Sequence, residues 1–494
     1  MATYEDIVNL ALRRSLFYPA SEIYANAPAG MYDYGPFGAT IRRKIVEQWR
    51  KHLVQKEDFL EIDGALIMPE DVFKASGHLT NFNDPVTQCK KCNVIHRADK
   101  LLEEKTKQPY KEAMPLAELT AAIRKHKLTC PNCKGELLDV RQFNMMVKAD
   151  VGVSAKTSCY LRPETCQTIF ADWARMVKTM RVKLPKGVSQ AGKVFRNEIS
   201  PRQTLIRQVE FSQIESEIFF NPEHINEHER WDDVKHYKLQ IMRAGKNTTE
   251  PITAEKLLSE KIVSGKIIAY YLARTQQLFE KLGLPIEKMR FRELDGTERA
   301  FYAKEAFDFE VETSLGWLEL AANNYRTDYD LKGHQEGSKK DLTFATEDGK
   351  KFLPHIWEIS IGLDRTFYAI LELTYRENKE KERTWLSLPP SLAPLHAGIF
   401  PLLSNKPELV SKAREVYDSL RDCYELLFDE SGSIGKRYAR LDEIGVPYCI
   451  TIDFDSLTKN DVTIRARDNG TQKRVPIPEL QDTLYQLISG KTTL

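Results

Sequence analysis

The sequence of 494 residues predicts an α+β fold followed by a separate small α/β domain. Two observations carry this prediction. Segments of alternating polarity on both sides of a polar turn containing Pro201 predict a long β-hairpin over Lys193–Phe220. After the proline-rich break Leu388–Pro394, strand patterns alternate with helical ones, as in a small α/β domain. We therefore expect an antiparallel core with an α/β domain at its C-terminal end.

Composition is that of an ordinary folded protein with room for two or three domains. It is 42% hydrophobic and 29% charged, and the formal net charge is +1. Bulk charge therefore gives no argument for nucleic-acid binding, and such a claim must rest on local patches. No apolar run approaches the roughly 18 residues of a membrane span, and the N-terminus carries Glu5 and Asp6 rather than a targeting pattern. We expect a cytoplasmic protein that does not bind membranes.

An amphipathic helix is predicted at Phe37–Gln55, with a strand at Glu61–Pro69 after it. Apolar residues recur at every fourth position of the helix. They are Ile41, Ile45, Trp49 and Leu53. Such a pair is more often part of a core than of a subunit interface, and the residues alone do not favour the interface.

Two CxxC pairs predict a structural zinc site. Each pair brings two soft thiolates together, and four of them fill a tetrahedral zinc shell without an open catalytic position. The four are Cys89, Cys92, Cys130 and Cys133. The span between the pairs is longer than in the usual zinc ribbon, so unmetallated cysteine pairs are the alternative. The isolated Cys159, Cys166, Cys423 and Cys449 are predicted to be small buried hydrophobic residues.

The predicted hairpin has one largely charged face. Arg196 and Glu198 share a face of its first arm. On the return arm one face carries Phe211, Gln213, Glu215 and Glu217, and the core face carries Ile214, Ile218 and Phe220. Arginines, carboxylates and an aromatic ring suit a substrate with phosphates, a flat base and an ammonium group. The alternative is a solvated hairpin with cross-strand ion pairs.

Several shorter segments complete the core. Tyr160–Thr165 leads into a predicted helix. Glu164 either belongs to a binding site or is stabilised by the positive end of the helix dipole. Strands are predicted at Phe307–Thr313, Gly316–Leu320 and His355–Ile361. The polar stretch Asn323–Asp330 predicts a turn in which Arg326 forms a surface ion pair. A helix begins at Gly362, and Arg365 in its first turn opposes the helix dipole, which favours an anionic ligand there.

Segment 221–297 is predicted to be a charged insertion with a helical pattern at Ala254–Leu282, large enough to be a subdomain. In the C-terminal domain, strands at 397–403, 448–454 and 462–467 alternate with helices at 407–428 and 477–488. Local basic patches there suit single-stranded RNA, with a merely solvated face as the alternative. Their members are Lys436, Arg437, Tyr438, Arg440, Arg465, Arg467, Lys473 and Arg474.

Several motifs resemble those of a known family. FRNEISPR, RQVEF and WEISIGLDR are similar to motifs 2 and 3 of the class II aminoacyl-tRNA synthetases, and the helix and strand ending at Pro69 resemble motif 1. YDYGPFG, EIDGALIMPEDVFKASGH, YLRPET and DESGSIGKRY resemble the dimeric glycyl-tRNA synthetases of the archaeal and eukaryotic type. The resemblance runs from about Leu16 to Ile488 and is weak over 221–297.

For ATP, the resemblance implies a site built on the hairpin. Arg196 would hold the α-phosphate, Glu198 would read the adenine amino group and Phe211 would stack on the base. Arg207 and Arg365 would grip the outer phosphates of a bent ATP with Mg²⁺, and Arg196 and Arg365 would be the catalytic pair. Such cations suit a reaction in which charge builds on the phosphoryl oxygens, so no protein nucleophile is needed.

For glycine, the resemblance implies an acidic set around the ammonium group. Glu164, Glu215 and Glu358 would form it, with Ser360 where a side chain would lie and Arg326 bracing the pocket. Selectivity would come from steric exclusion, without an editing domain. The chain departs from the family's commoner pattern at Cys166, Thr168, Ala322, Asn323, Trp357 and Ile359. None of these departures removes a charge that the resemblance assigns to the chemistry.

The resemblance also implies a class II antiparallel catalytic core flanked by helices, an α/β anticodon-binding domain, tRNA(Gly) as a partner and a homodimer. The expected activity is the ligation of glycine to tRNA(Gly) through glycyl-adenylate. The alternatives are another class II specificity and a catalytically inactive paralogue that binds nucleic acid. The expected division of the chain is core at 1–84, zinc-knuckle insertion at 85–140, core at 141–220, insertion at 221–297, core at 298–388 and anticodon-binding domain at 389–494.

Overall fold

The computed structural model describes residues 2–108, 110, 114–153, 157–199, 201 and 203–494. Their α-helices are α1 (Tyr4–Arg13), α2 (Pro36–Trp49), α3 (Glu70–Ala75), α4 (His78–Asn81), α5 (Ala98–Thr106), α6 (Leu116–Lys125), α7 (Cys166–Met180), α8 (Ala254–Ser259), α9 (Lys266–Lys281), α10 (Tyr329–Ser338), α11 (Leu363–Thr374), α12 (Pro407–Leu420), α13 (Ile434–Glu443), α14 (Phe454–Lys459) and α15 (Leu480–Ile488). None of these described helices combines the length and the hydropathy needed to cross a membrane.

A central sheet organises the described part of the chain. Its strands lie side by side in the order β13 (Thr249–Thr253), β12 (Lys238–Met242), β14 (Met289–Glu293), β15 (Glu305–Thr313), β16 (Gly316–Thr327), β19 (His355–Gly362), β11 (Glu210–Phe220), β10 (Lys186–Phe195) and β3 (Leu60–Glu61). Neighbours are antiparallel except for β12 with β14 and β10 with β3. The predicted antiparallel core is thus confirmed.

Smaller sheets surround it. They are β1 (Phe17–Pro19) with β2 (Tyr32–Tyr34); β4 (Ile67–Pro69), β9 (Thr157–Leu161) and β8 (Val147–Val151); β6 (Ile95–Arg97), β5 (Asn83–Gln88) and β7 (Arg141–Asn144); β17 (Phe344–Ala345) with β18 (Lys351–Phe352); and β20 (Tyr375–Asn378) with β21 (Arg383–Leu386). The C-terminal sheet has the order β23 (Leu426–Phe428), β22 (Ala397–Pro401), β24 (Tyr448–Ile452), β25 (Asp461–Ala466) and β26 (Gln472–Pro476).

The predicted hairpin exists as β10 and β11, and its pairing begins earlier, at Lys186. Ile214 and Ile218 face the main hydrophobic core, as predicted. The opposite face is not solvated: Glu215 is 1% exposed and Glu217 is fully buried. The solvated-hairpin alternative is therefore wrong, because α7 and the residue before it pack on this face of β11: Thr165 donates to Glu215, and Trp173 stacks on Phe219. Ser200 and Arg202 of the connecting turn lie outside the described residues.

Two of the N-terminal predictions have different outcomes. The amphipathic helix is confirmed as α2, which continues as a π-helical segment over Arg50–Gln55. The single strand over Glu61–Pro69 is wrong, because the chain changes sheets within it: β3 pairs with β10, whereas β4 pairs with β9. The change occurs around Gly64, whose N–H donates to Gln190 Oε1 at 3.0 Å. A β-carbon at Gly64 would lie 2.4 Å from Thr168 Oγ1, so this close approach to α7 requires glycine.

Segment 221–297 is not a unit apart from the core. Its strands β12, β13 and β14 extend the central sheet, and α9 lies against α2 and β12. The predicted turn at Asn323–Asp330 is also wrong. Its first residues belong to β16, the neighbour of β19, and Arg326 is buried rather than at the surface.

The C-terminal α/β domain is confirmed, although the predicted helix 407–428 ends at Leu420 and is followed by β23. The predicted basic patches do not form a common exposed surface. Arg437, Arg465 and Arg467 are buried. Arg465 donates to both carboxylate oxygens of Asp442 at 3.0 Å, and its guanidinium lies 4.7 Å from the Tyr438 ring centre. Arg440 pairs with Asp429, and Arg474 pairs with Asp453 and Asp461. Lys436 and Lys473 are the members of the set that are exposed.

Candidate active site

A cavity of about 600 Å³ lies over strands β11, β16 and β19 of the central sheet. Nine of the ten residues selected for ATP and glycine line it. They are Glu164, Arg196, Glu198, Arg207, Phe211, Glu215, Glu358, Ser360 and Arg365. The tenth, Arg326, lies behind the wall, where it contacts Glu358. The sheet thus brings together side chains from segments that are far apart in sequence.

Arg196 follows the end of β10 and is held by its backbone and by two rings. Its N–H donates to the carbonyl of Val209 at 2.9 Å, and its Nε donates to the carbonyl of Pro163 at 3.2 Å. The guanidinium carbon lies 5.3 Å from the Phe82 ring centre and 5.2 Å from that of Phe211. Cation–π contact with two aromatic faces fixes the charge in place beside the cavity.

Two further arginines line the same part of the cavity. Arg207 Nε lies 2.9 Å from Glu198 Oε1. Arg365 is in the first turn of α11, as predicted, and its Nε donates to the carbonyl of Ile206 at 3.1 Å. Its Nη1 lies 3.3 Å from a carboxylate oxygen of Glu319. These contacts offset the unfavourable position of Arg365 at the positive helix end and leave its side chain 35% exposed at the cavity.

Glu215 occupies the middle of β11, deeper in the cavity. Its Oε2 accepts a hydrogen bond from the Thr165 hydroxyl at 2.6 Å, and its Oε1 accepts one from the Ser360 hydroxyl at 2.8 Å. Burial and the nearby charge of Glu164 raise the pKa of Glu215. Both of these donors are uncharged hydroxyl groups, so a cation bound beside the carboxylate would stabilise its charged form.

Glu358 lies on β19 and is paired with the buried Arg326. Its two oxygens accept from Arg326 Nη1 at 2.9 Å and from Asn324 Nδ2 at 2.6 Å. Burial, opposed by Arg326, raises the pKa of Glu358 to about 7. Arg326 also donates to both oxygens of Asp330, at 2.7 and 2.8 Å, and its guanidinium lies 3.8 Å from the Tyr302 ring centre. Arg326 thus pairs with both Glu358 and Asp330 behind the acidic wall.

Glu164 precedes α7 and faces the cavity rather than capping the helix, whose N-cap Thr165 makes no side-chain capping bond. Its Oε1 accepts from the Cys166 thiol and from Gln167 Nε2, each at 2.9 Å. Burial alone would raise the pKa of Glu164. His78, 3.3 Å away, and Arg326 instead hold that pKa well below its usual range. Glu164 is therefore a buried carboxylate.

Three more polar groups of the site were not given roles from the sequence. Gln213 lines the cavity and donates to Ser360 Oγ at 3.1 Å, while its Oε1 has no hydrogen-bond partner in the described part of the chain. Neither oxygen of the buried Glu217 has a partner among the described residues, and burial together with the charge of Glu358 raises its pKa well above the usual range. The alternating sequence of β11 predicted that Gln213 and Glu217 lie on its charged face. The third group, Asn324, belongs to a segment that was predicted to be a turn.

Arg162 is a buried support for the site that the sequence showed only as part of a motif. Its Nε donates to the carbonyl of Lys193 at 2.9 Å, and its Nη1 donates to that of Gly64 at 3.0 Å. A β-carbon on Gly192 would lie 2.1 Å from Arg162 Nη2, so a side chain there would displace the guanidinium from this position. Arg162 thereby joins the segment before α7 to β10.

The four cysteines of the CxxC pairs come together, as predicted. Cys89 Sγ lies 3.4 Å from Cys133 Sγ, and Cys92 Sγ lies 3.6 Å from Cys130 Sγ. Four thiolates around one zinc ion at ~2.3 Å lie roughly 3.8 Å apart, so the set fits tetrahedral zinc. All eight cysteines are described and none forms a disulfide. Cys159, Cys166 and Cys449 are buried as predicted, whereas Cys423 is exposed, because it lies in the exposed turn 421–423 that follows α12.

Comparisons with known proteins cover the whole chain. A family model described as "tRNA synthetase class II core domain (G, H, P, S and T)" matches residues 150–242, and one described as "Anticodon binding domain" matches residues 396–487. The Glycine--tRNA ligase of Pyrococcus horikoshii is 37% identical over 99% of both chains. That of Methanothrix thermoacetophila is 36% identical, with 99% of this chain and 98% of the relative covered.

Both alignments extend over 569 positions, so these relatives carry segments that this chain of 494 residues lacks. Among solved structures, the prolyl-tRNA synthetase of Cryptosporidium parvum complexed with halofuginone and AMPPNP superposes with a TM-score of 0.60 at 14% identity. The superposition covers 99% of this chain and 77% of that one. This likeness concerns the fold alone.

Proposed function

The chain belongs to the glycine–tRNA ligase family, and we propose which of its residues carry out each part of the reaction. The enzyme activates glycine with ATP to glycyl-adenylate and transfers the glycyl group to the terminal adenosine of tRNA(Gly). The class II core and the anticodon-binding domain expected from the motifs are confirmed. The roles of the individual pocket residues are the proposal.

One observation carries the assignment: the cavity has two chemically different parts. Arg196, Arg207 and Phe211 lie together at one part, and Glu215 and Ser360 lie together at the other. Phe211 and Glu215 are four residues apart on β11, which corresponds to about 13 Å. A nucleotide bound at the first part would extend its α-phosphate toward an amino acid bound at the second.

For ATP, Arg196 is the ligand of the α-phosphate. A glycine carboxylate oxygen attacks the α-phosphorus, the bond to the bridging oxygen breaks, and pyrophosphate leaves. Arg196 stabilises the charge that builds on the phosphoryl oxygens, and Arg207 and Arg365 hold the leaving pyrophosphate. Phe211 stacks on the adenine, and Glu198 accepts a hydrogen bond from its amino group. Arg196 and Arg365 are thus the catalytic pair.

Mg²⁺ fits the same part of the site. Glu319 lines the cavity beside Arg365, and its carboxylate is an oxygen ligand of the kind that Mg²⁺ prefers. The ion would neutralise charge on the outer phosphates of ATP. The arginines would then hold the nucleotide in place.

For glycine, the carboxylates of Glu164, Glu215 and Glu358 surround the ammonium group. Ser360 and Gln213, which donates a hydrogen bond to it, occupy the space that the side chain of a larger amino acid would need. Arg326 pairs with the Glu358 carboxylate and so stabilises its charged form. Selectivity then comes from the lack of room for any substituent on the α-carbon.

The function is tested by amino-acid-dependent ATP–pyrophosphate exchange. Glycine is expected to support exchange, and alanine, serine and proline should support it at least about tenfold less, the smallest effect typical of one extra methylene at a closed pocket. Exchange with proline but not glycine would establish another specificity. A folded protein that exchanges with none of the four would be an inactive paralogue.

Four further features belong to this proposal. The CxxC cluster holds structural Zn²⁺, supported by its sulfur distances. Leu66 and Ile67, exposed apolar residues at β4, support a homodimer. Unpaired thiols in place of disulfides suit the cytoplasm. The domain bounds expected from the sequence are proposed with one change, since 221–297 extends the catalytic sheet.

A further inference from the structure

We propose that the acidic part of the cavity also binds a thiophilic divalent cation, through Cys166, Glu215 and Glu358, in competition with the ammonium group of glycine. The inference rests on the proposed glycine site, because the two ligands compete only if Glu215 and Glu358 hold that ammonium. It assigns to this chain an inhibitory metal site that is distinct from the CxxC cluster.

The three ligand atoms of this site already lie close together. Cys166 Sγ and one carboxylate oxygen from each of Glu215 and Glu358 all lie within 4.8 Å of one another, and all three residues are buried. Ligands of one zinc ion lie roughly 3.3 to 3.8 Å apart, since Zn–S is about 2.3 Å and Zn–O about 2.0 to 2.2 Å. Closing the set by about 1 Å is within the reach of side-chain rotation. One thiolate with two carboxylates is a donor set that suits Zn²⁺ or Cd²⁺ better than Mg²⁺.

The charges around these atoms also favour a cation. Glu164, Glu215, Glu217 and Glu358 converge here, and the arginines whose charges act on them are Arg326 and Arg162, the second of which also interacts with Asp63. Arg326 is shared with Asp330, which takes two of its hydrogen bonds. The carboxylates in the acidic part of the cavity therefore outnumber the positive charges that act on them. An ammonium group supplies one unit, and a divalent cation at the same place supplies two.

An independent observation points to a ligand at this place. The side chain of Gln213 is 8% exposed and lines the cavity, yet its Oε1 has no hydrogen-bond partner in the part of the chain described. A buried amide oxygen without a partner is costly, which indicates that a bound group satisfies it. It can accept from an ammonium group or from water on a metal ion. Glu215 and Glu358 also line the cavity, so an ion can reach the set from solvent.

Binding requires one local change. Cys166 now donates its thiol proton to Glu164 Oε1 at 2.9 Å. On metal binding, that proton is released to solvent and the sulfur turns to the ion, as in other thiolate sites. Glu164 keeps Gln167 and His78 as partners, so it is not left as an unpaired buried charge.

The test uses Cd²⁺ as the probe on the full-length, zinc-loaded protein. Cd²⁺ is expected to produce a thiolate charge-transfer absorbance in the ultraviolet that glycine displaces. Cys166→Ala and Cys166→Ser should both lose this band, and serine keeps the volume and the hydrogen bond in case alanine disturbs folding. Cys423→Ala, at an exposed cysteine remote from the cavity, is the matched control and should keep the band.

Kinetics give the second readout. At a Cd²⁺ concentration of ten times its Kd, the apparent KM for glycine in ATP–pyrophosphate exchange should rise about tenfold, while the KM for ATP is unchanged. A band that persists in both Cys166 variants, no band at all, or inhibition that glycine does not relieve would overturn the inference. The proposed function fails separately, if the zinc-loaded wild-type protein gives no glycine-dependent exchange with Mg²⁺ and without Cd²⁺.

Discussion

Replacing Arg196 with alanine is expected to lower the rate of glycine-dependent ATP–pyrophosphate exchange by about 10²- to 10³-fold. Removing one pre-positioned donor to a developing oxyanion costs about this much, because the charge forms mainly in the transition state. Arg196 is pre-positioned by two aromatic rings and by the carbonyl of Pro163. The loss should therefore appear in kcat more than in the KM for glycine.

The matched control for this variant is Arg175→Ala. Arg175 is an exposed arginine on α7 that does not line the cavity, and its replacement should leave the exchange rate within about twofold of wild type, as for most surface substitutions. Circular dichroism and thermal unfolding establish whether both variants are folded. An Arg196→Ala protein with unaltered exchange would remove the assigned role of the α-phosphate ligand.

The second large effect is expected at the CxxC cluster. Wild-type protein should contain one zinc ion per chain by elemental analysis, and a Cys89→Ser, Cys130→Ser protein should contain none. Structural zinc contributes directly to folding, with apparent binding free energies of ~10 to 16 kcal/mol in small zinc domains. The lobe around α5 and α6, whose hydrophobic cluster includes both cysteines, should then become sensitive to proteolysis.

Cys423→Ser is the control for the metal analysis, since Cys423 is exposed and isolated in sequence. It should keep the full zinc content and the proteolytic resistance of wild type. The zinc assignment is wrong if the wild-type protein is purified without metal and is nevertheless folded and fully active.

Period-two alternation predicted β10 and β11 because each residue of a strand points to the opposite face from its neighbour. It also placed Glu215 and Glu217 on one face with Phe211. The pattern could not predict that this face is buried, because burial depends on what packs against the face. In the structure Thr165, which precedes α7, donates to Glu215 on this face, and Ser360 of the neighbouring β19 donates to it across the strand pair.

For Arg326 the sequence predicted a surface residue in a turn, whereas the structure has a buried residue in a strand. Its neighbours Asn323, Asn324, Asp328 and Asp330 make the local sequence typical of a turn. The segment is a strand because pairing with β19 satisfies its backbone, and the polar side chains are paired within the site. Buried polar networks of this kind violate the local patterns from which strands are predicted.

The arginines of the C-terminal domain show that a basic sequence need not make a basic surface. Arg465 and Arg467 alternate on β25 and its end, which suggested exposed cations. Both are buried, and each is neutralised by an aspartate: Asp442 and Asp468. Asp468 is the next residue along the chain from Arg467, whereas the pairing of Arg465 with Asp442 depends on how β25 and α13 meet in space.

We propose that one cavity binds the nucleotide at its arginines and the ammonium group at its buried carboxylates. The most direct test is a crystal structure with a non-hydrolysable sulfamoyl analogue of glycyl-adenylate. We expect the adenine on Phe211, the sulfamoyl group beside Arg196, and the ammonium group within hydrogen-bonding distance of Glu215 and Glu164. An analogue bound with its adenine at the carboxylates, or outside this cavity, would contradict it.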